Sequence, residues 1–182
     1  MKNYKTVVML ALAFAAVIFI AGCSSGKDAT VPSAFRGVWV NNADNSDVIE
    51  FTSTKIIFYS SSTYSIAGTT LTLENMGDYA RVEGSGSTLV GTWMYTETDW
   101  YDAVKFTSKG KFEWDWNGEA TDKGVWSTAG SILTLGFAYP CTVKETIMTV
   151  TMYGTPADVP YTLSGNQLTV GTAPDDETYT KQ

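Results

Sequence analysis

Three ten-residue stretches follow one pattern: YSIAGTTLTL at residues 64–73, WSTAGSILTL at 126–135 and YTLSGNQLTV at 161–170. Each begins with an aromatic residue, has glycine in fifth place, and ends in Leu-Thr-Leu or Leu-Thr-Val. Glycine readily adopts the positive φ that a tight hairpin needs. The alternation of leucine and threonine places apolar side chains on one face of a strand. Each stretch is therefore predicted to form a β-hairpin.

A longer internal repeat surrounds the first two hairpins. The tripeptide GVW at residues 37–39 returns as GTW at 91–93, and DVIEFTS at 47–53 returns as DAVKFTS at 102–108. These matches predict a duplication, with blocks at 35–75 and 89–137 and a degenerate third piece at 142–170. Residues 76–87 are rich in Gly, Ser and Glu, which leaves a linker or a loop with one short strand at 79–83 as alternatives.

The chain after its N-terminal segment has the signature of an all-β protein. Short runs rich in β-formers recur every 8–12 residues or so between turn clusters, and helical periodicity is missing. Short connections favour antiparallel pairing of successive strands. The sequence thus predicts an up-and-down meander over residues 35–170 that closes into a β-barrel, since closure removes exposed sheet edges. Residues 171–182 are predicted to be a polar, frayed tail.

Residues 1–22 have the features of a targeting segment. Lys2 and Lys5 precede an apolar run at 7–20, which is short for a membrane-spanning helix of about 20 residues. The run ends in Ile-Ala-Gly-Cys at 20–23, which resembles the lipobox of bacterial lipoproteins. The resemblance implies cleavage before Cys23, a diacylglyceryl group on its sulfur, and export to the cell envelope. Ser24 in the next position implies the outer membrane where a bacterium has two. Residues 23–34 are predicted to be a flexible tether of about 15–20 Å.

Residues 89–170 resemble the lipocalin-like domains of small bacterial lipoproteins. The resemblance rests on the Gly-x-Trp of Gly91 and Trp93, repeated in Gly37 and Trp39, and on the Gly-x-x-Leu-Thr-Leu hairpins. In lipocalins this tryptophan closes the floor of the barrel. The resemblance implies a lipocalin-like barrel, with the loop at 96–102 over its open mouth. The C-terminal helix and disulfide of secreted lipocalins have no counterpart in the sequence.

Composition excludes several functions. The chain of 182 residues has a formal charge of −7, which becomes −9 after removal of residues 1–22, because that segment carries two lysines and no acid. Such a charge argues against nucleic-acid binding. The complete lack of histidine excludes histidine-based triads and metal ligands. Cys141 is predicted to be an apolar filler rather than a reactive thiol. A non-enzyme without metal or cofactor is expected.

Aromatic residues are the candidates for ligand contact. Phe112, Trp114 and Trp116 alternate with acids along one predicted strand, so they form either a stacking surface for a sugar or lipid or the interior of the barrel. Trp100 and Tyr101 lie in the loop at 96–102, where they either cover a ligand or pack locally. The carboxylate pairs at 97/99 and 113/115 are interpreted as solvent-facing charges rather than as a glycosidase or Ca²⁺ site.

These observations predict a membrane-anchored, non-catalytic lipoprotein of the cell envelope that binds a small apolar ligand or another envelope component. The alternative is a structural or adhesive surface module with a solid barrel core and no ligand. Fold by itself does not separate the two, because one scaffold hosts many functions.

Overall fold

The computed structural model describes residues 30–74, 76–96, 102–118 and 120–182. Within these ranges the chain forms fourteen strands and no helix. The strands are β1 (Gly37–Asn41), β2 (Val48–Phe51), β3 (Lys55–Ala67), β4 (Thr70–Leu73), β5 (Gly77–Glu83), β6 (Gly91–Tyr95), β7 (Asp102–Phe106), β8 (Lys111–Trp116), β9 (Ala120–Ala129), β10 (Ile132–Lys144), β11 (Ile147–Met152), β12 (Thr155–Ser164), β13 (Gln167–Val170) and β14 (Glu177–Lys181).

The strands form an antiparallel meander. Each strand is hydrogen-bonded to its neighbours in the chain, and β14 pairs with β1, so the hydrogen bonds run in a ring through all fourteen strands. The longest strands, β3 and β10, also pair with one another. The prediction of an all-β, antiparallel up-and-down meander is therefore confirmed.

The three repeated stretches are hairpins, as predicted. They form the connections β3–β4, β9–β10 and β12–β13, where Gly68, Gly130 and Gly165 have φ of 62°, 60° and 59°. The registers agree as well, since the opening aromatic residues Tyr64 and Tyr161 face Leu73 and Val170 across their hairpins. Glycine sits at these turns because other residues adopt a positive φ only at a cost.

The chain divides into two compact units. Unit 1 comprises the described residues up to Ile57 together with Tyr139–Gln182, and unit 2 comprises Phe58–Ala138. The predicted block 89–137 lies within unit 2, and the third piece at 142–170 lies within unit 1. The predicted block 35–75 is divided between the units, because its hairpin at 64–73 pairs onward with β5 of unit 2. In unit 1, the hairpin at 161–170 occupies the place that the hairpin at 64–73 has in unit 2.

The duplication extends to strand register. In unit 1, β1 pairs with β2 so that Trp39 faces Ile49 and Gly37 faces Phe51. In unit 2, β6 pairs with β7 in the same register, with Trp93 opposite Val104 and Gly91 opposite Phe106. The preceding pairings also match, since β14 places Lys181 opposite Trp39 and β5 places Arg81 opposite Trp93. Position-by-position correspondence of this kind supports a repeated structural unit.

Each unit has a core of its own. The core of unit 2 contains six aliphatic and five aromatic residues. The aliphatic residues are Leu71, Leu73, Leu89, Val104, Leu133 and Leu135, and the aromatic ones are Tyr79, Trp93, Phe106, Phe112 and Trp114. The buried residues of unit 1 are more aliphatic and include Ile49, Ile56, Val143, Met148 and Val150 beside Phe35, Trp39 and Phe51. The two repeated units therefore fill equivalent strands with different side chains.

Two segments outside the predicted blocks form strands. Residues 171–182 were expected to fray, and this expectation is wrong, because β14 pairs with both β1 and β13 and buries Tyr179. The single aromatic residue of an otherwise polar segment supplies the apolar contact that holds it. Residues 76–87 include β5. Of the two interpretations of this segment, the loop with one short strand is therefore confirmed, and the linker is not.

Candidate ligand-binding site

The two Gly-x-Trp tryptophans have structural roles. Trp39 and Trp93 are both 0% exposed and occupy the third position of β1 and of β6. The indole Nε1 of Trp39 donates to the carbonyl oxygen of Phe35 at 2.6 Å, and Trp93 donates to Leu89 at 2.8 Å. Because both donors are satisfied by backbone four residues earlier, these tryptophans have no polar group left for a ligand.

The predicted aromatic stripe lies on β8, and its inner members are buried. Phe112 is 1% and Trp114 0% exposed, whereas Trp116 at the end of the strand is half-buried. The interpretation of the stripe as interior is therefore confirmed for Phe112 and Trp114. The intervening Glu113 is exposed, as strict alternation on a strand with one apolar face requires.

The stripe is divided between two groups of aromatic rings. Phe112 makes edge-to-face contact with Phe137 at 5.2 Å between ring centres, and Phe106 does the same with Trp126 at 5.5 Å. Trp114 instead stacks on Trp116, with ring centres 4.6 Å apart and planes 6° from parallel. Phe112 and Trp114 therefore belong to the same buried core, against which Trp116 packs, but their ring contacts are with different partners.

Tyrosines of β5 and β6 extend the tryptophan pair. Tyr79 meets Trp114 edge to face at 6.0 Å, and Tyr95 lies 5.2 Å from Tyr79. Tyr79 is buried, whereas Tyr95 and Trp116 are half-buried. We call this group the aromatic end of unit 2; it consists of Tyr79, Tyr95, Trp114, Trp116 and the carboxylate of Asp122.

Asp122 adds a buried carboxyl group to the aromatic end. It lies on β9 directly opposite Trp114 and is 3% exposed. Its Oδ2 accepts a hydrogen bond of 2.6 Å from Nε1 of Trp116. A second buried carboxylate, Asp102, faces Trp116 across β7 and β8. Side chains that face one another across a strand pair share a face of the sheet, so both acids point inward beside the tryptophans.

The indole nitrogen of Trp114 is an unsatisfied donor. Nε1 is buried and has no hydrogen-bond partner within the part of the chain that the structure describes. A buried donor without an acceptor costs about 1–3 kcal/mol, and such groups are rare in folded proteins. Sequence reasoning selected Trp114 for its place in an aromatic run, but only the packing of its neighbours shows that its polar atom lacks a partner.

The equivalent end of unit 1 is closed by polar side chains. Tyr179, which matches Tyr79, has its hydroxyl 2.8 Å from Oδ2 of Asp47 and 2.6 Å from Oε2 of Glu177. Asn41 donates to the same Asp47 oxygen at 2.9 Å. Burial and these two carboxylates raise the pKa of Tyr179 well above its usual range. The polar atoms of this group form hydrogen bonds with one another, whereas Nε1 of Trp114 in unit 2 has no partner among the described residues.

Two sets of predicted site residues lie outside the described residues. Trp100 and Tyr101 belong to the first set, so the prediction that they cover a ligand stays a prediction. Cys23, the predicted site of lipidation, belongs to the second. Residues 30–34 of the predicted tether are described, and Val31 among them is fully buried.

The acidic pair at 113/115 makes local polar contacts, and the pair at 97/99 lies outside the described residues. Glu113 makes an exposed ion pair with Lys123 at 3.0 Å, and Asp115 accepts from the backbone of Gly118 at 2.7 Å. The solvent-facing interpretation is confirmed for Glu113, which is exposed. Over the described ranges no group of three or more acidic or cysteine side chains is arranged to hold a metal ion.

Cys141 is buried in unit 1, at 1% exposure. Burial raises the pKa of its thiol to about 12. A thiol is nucleophilic only as the thiolate, so this side chain behaves as the apolar filler that the sequence predicts.

Comparison with known proteins adds no assignment. No protein-family model, no curated protein and no solved structure matches the chain. Among the described residues, no helix has the length and apolar character to cross a membrane.

Proposed function

We propose that this protein is a lipid-anchored, non-catalytic lipoprotein of the bacterial cell envelope that binds a small apolar ligand, or part of another envelope component, at the aromatic end of unit 2. The anchor is a lipid on Cys23, and the outer membrane is the proposed address in bacteria with two membranes. The basis for the anchor is the sequence alone, through the basic start, the apolar run and the Ile-Ala-Gly-Cys at 20–23.

A lipocalin-like barrel is part of this proposal. Its support is the antiparallel meander with a closed ring of hydrogen bonds, together with the buried Gly-x-Trp tryptophan in each unit. Ligands of small β-barrels bind at an open end among inward-facing side chains. The aromatic end of unit 2 has the composition that such a site needs, with apolar rings and few polar atoms.

One observation carries the ligand proposal: the same structural unit occurs twice, and among the residues that the structure describes only unit 2 has a buried polar atom without a hydrogen-bond partner at this end. In unit 1 the end is closed by Asn41, Asp47 and Tyr179. In unit 2 the end holds stacked tryptophans, a buried carboxylate and the unpartnered Nε1 of Trp114. A buried donor that costs stability is the kind of feature that a binding function retains.

A second candidate is a structural or adhesive module with a solid core. The observation in its favour is the contact network of Phe106, Phe112, Trp126 and Phe137 at the other end of unit 2, where rings fill the interior edge to face. Under this alternative the aromatic residues only stabilise the fold.

Tryptophan fluorescence and native mass spectrometry separate the two candidates. Protein incubated with a cell-envelope extract should retain a bound molecule in the mass spectrum and show a shifted emission. The shift should be much reduced in Trp114→Phe and in Trp100→Phe, and it should persist in Trp126→Phe, whose ring lies in the other contact group. A spectrum without adducts and an unchanged emission would favour the solid module.

A further inference from the structure

We infer that one end of unit 1 is a membrane-facing surface that binds anionic phospholipid head groups and thereby orients the unit on the membrane. We call it the basic end; it consists of residues 31–36 and of the side chains of Lys55, Lys144, Ile147 and Lys181. The inference rests on the lipid anchor of the proposed function and adds a second contact between the protein and the membrane.

The chain enters unit 1 at the basic end. Val31 is fully buried, and its N–H donates to the carbonyl oxygen of Ser53 at 2.8 Å, in the turn between β2 and β3. The guanidinium Nε of Arg36 donates to the carbonyl oxygen of Val31 at 3.2 Å. These contacts fix the point from which the chain leads back to the proposed anchor.

The distance from this point to the anchor is limited by the length of the chain. Val31 lies eight positions after Cys23. Eight residues span at most about 26–29 Å, whatever their conformation, because a fully extended chain covers about 3.3–3.6 Å per residue. A lipid on Cys23 therefore keeps the basic end within about 30 Å of the head groups.

All four basic side chains among the described residues of unit 1 lie at this end. They are Arg36, Lys55, Lys144 and Lys181. Lys55 lies two residues after Ser53, which accepts from Val31. The Nζ atom of Lys181 donates to the carbonyl oxygen of Ala34 at 2.8 Å. Both lysines are thus close to the segment at 31–36.

Lys144 belongs to the same end through the turn that follows it. The carbonyl oxygen of the next residue, Glu145, accepts from the hydroxyl of Tyr161. The ring of Tyr161 packs edge to face on Phe35, with 4.9 Å between ring centres. Arg36, Lys55 and Lys144 are exposed and Lys181 is half-buried, so the charges are accessible to a surface outside the protein.

The acidic side chains of unit 1 are concentrated at its other end. The structure describes eight of them, of which five lie in the loops β1–β2 and β13–β14 and at the start of β14, namely Asp44, Asp47, Asp175, Asp176 and Glu177. The hydroxyl of Tyr179 joins Asp47 to Glu177. Strand β1 leads from Arg36 at the basic end to Asn41 at the acidic end, a separation of about 15 Å at roughly 3.3 Å per residue.

The other three acidic side chains leave the basic end with an excess of cations. Glu145 lies in its β10–β11 turn, Glu50 lies on β2, and Asp158 lies on β12. Even with Glu50 and Glu145 counted at this end, four basic side chains stand against two acidic ones. The excess is local, because the chain as a whole has a negative formal charge.

An exposed apolar side chain lies beside these cations. Ile147 is 37% exposed and faces Lys144 across β10 and β11. Segments that lie in the head-group region of a bilayer combine basic side chains with apolar ones that enter the boundary of the acyl chains. This combination, together with the short distance to the anchor, favours a phospholipid surface as the partner of the basic end.

The separation of charge gives unit 1 a preferred orientation. Each Lys or Arg close to an anionic leaflet strengthens binding about fivefold. Acidic side chains about 15 Å farther away are screened, because the Debye length is about 8 Å at physiological ionic strength. The favoured arrangement therefore turns the basic end toward the lipid and the acidic end toward solvent.

Hydroxyl-radical footprinting on vesicles tests this orientation. The chain from residue 23 is coupled through the thiol of Cys23 to a maleimide lipid, while Cys141 is protected by burial. The vesicles contain phosphatidylcholine alone or an equal mixture with phosphatidylglycerol. The readouts are Ile147 at the start of β11 and Tyr153 directly after its end, which are 37% and 49% exposed.

We expect the oxidation of Ile147 to fall about threefold or more on the anionic vesicles relative to phosphatidylcholine, because the basic end contacts the charged head groups. Tyr153 should be oxidised equally on both. The protection of Ile147 should disappear in about 0.5 M NaCl, where the Debye length is shorter. Equal oxidation of Ile147 on the two kinds of vesicle, or equal protection of Tyr153, would overturn the inference.

Matched variants separate the basic end from the total charge. Lys55→Gln/Lys144→Gln removes two charges from the basic end, and Lys109→Gln/Lys111→Gln removes the same charge from exposed positions of unit 2. The first variant should lose the protection of Ile147 on anionic vesicles, and the second should keep it. Loss in both, or in neither, would contradict the inference. Circular dichroism reports whether each variant is folded.

Failure of this inference and failure of the proposed function have different signs. The footprint uses a lipid that is attached chemically, so a negative footprint rejects the basic end and leaves both the natural anchor and the ligand site standing. Absence of palmitate on Cys23 in cells would instead reject the natural anchor, and with it the inference that rests on that anchor.

Discussion

The guanidinium carbon of Arg81 lies 4.0 Å from the centre of the Trp93 ring. From this position Arg81 donates to three backbone carbonyls of the segment that precedes β6, those of Gly86, Thr88 and Val90, at 2.8–3.2 Å. Lys181 occupies the equivalent place in unit 1, 5.4 Å from the Trp39 ring, and donates to Ala34 at 2.8 Å. In each unit, one cationic side chain thus contacts the buried tryptophan and also donates to the backbone that precedes the strand carrying this tryptophan.

Replacing Arg81 with methionine should destabilise the protein. Met keeps an unbranched apolar stem but removes the cation–π contact and the three charged hydrogen bonds, so we expect a loss of about 2 kcal/mol in the free energy of unfolding. Lys181→Met is the matched variant and should cost less, about 1 kcal/mol, because Lys181 lies farther from its ring and contacts one carbonyl. Urea unfolding measures both values, and a larger loss for Lys181→Met would contradict the argument.

Truncating either Gly-x-Trp tryptophan should have a much larger effect. Trp39→Ala and Trp93→Ala each leave a large cavity in a core where the ring is 0% exposed, which costs about 3–5 kcal/mol. The two losses should be similar, because the residues hold equivalent places in the two units. The half-buried Trp116, changed to Ala, is the control and should lose clearly less. A loss below 1 kcal/mol at Trp39 or Trp93 would show that its burial contributes little.

A methyl group at Gly124 should not be accommodated. A Cβ there would lie 1.8 Å from the carbonyl oxygen of Gly136 and 2.8 Å from a ring atom of Phe112. Since the nearest atom belongs to the backbone, Gly124→Ala requires β9 and β10 to move apart. We expect a loss of about 3 kcal/mol or more, or failure to fold, as for severe overpacking. Ser127→Ala, at an exposed position of the same strand, should change the stability by less than about 0.5 kcal/mol. Thermal unfolding of both variants tests the difference.

The buried thiol of Cys141 predicts a dependence on alkaline pH. Because burial raises its pKa to about 12, the folded state holds a proton that the unfolded state releases above about pH 8.5. The stabilising contribution is complete below that pH and is lost as pH rises toward 12, by up to about 1.4 kcal/mol per pH unit. The free energy of unfolding of Cys141→Ser should therefore fall less steeply with pH than that of the wild type over this range. The native thiol should also react with thiol reagents at pH 8 only after unfolding, and rapid labelling of folded protein would contradict the assignment.

The lipid anchor is tested in cells. Cys23→Ala removes the sulfur that is proposed to carry the lipid, so the protein should lose labelled palmitate and either leave the membrane fraction or accumulate as the uncleaved precursor. Acyl chains contribute about 0.8 kcal/mol per buried CH₂, which is more than a short polar tether supplies. Ser24→Ala is the adjacent control and should still incorporate the label. Equal labelling of wild type and Cys23→Ala would disprove lipidation at this residue.

Local patterns in the sequence were enough to predict the strands and their hairpins. The spacing of Gly68, Gly130 and Gly165 before Leu-Thr-Leu or Leu-Thr-Val predicted three turns with positive φ, because turn geometry depends on a few adjacent residues. The burial of Trp39 and Trp93 was also predictable, since the duplicated Gly-x-Trp placed both on inward faces. The candidate site was predicted in part: β8 was found through its alternation, and Trp114 and Trp116 are neighbours in the aromatic end.

The sequence by itself thus determined an all-β meander, its turns and its repeated register, because these follow from side-chain alternation and backbone conformation. Only the tertiary structure decided which hairpin serves which unit, that Tyr179 holds the last strand in place, and that Asp122 and Tyr79 join the tryptophans. These contacts depend on pairings between residues far apart in the chain, such as Tyr179 with Asp47, and local pattern contains no information about them. The missing partner of Trp114 is likewise a property of packing, because it depends on which atoms reach the indole nitrogen from several strands at once.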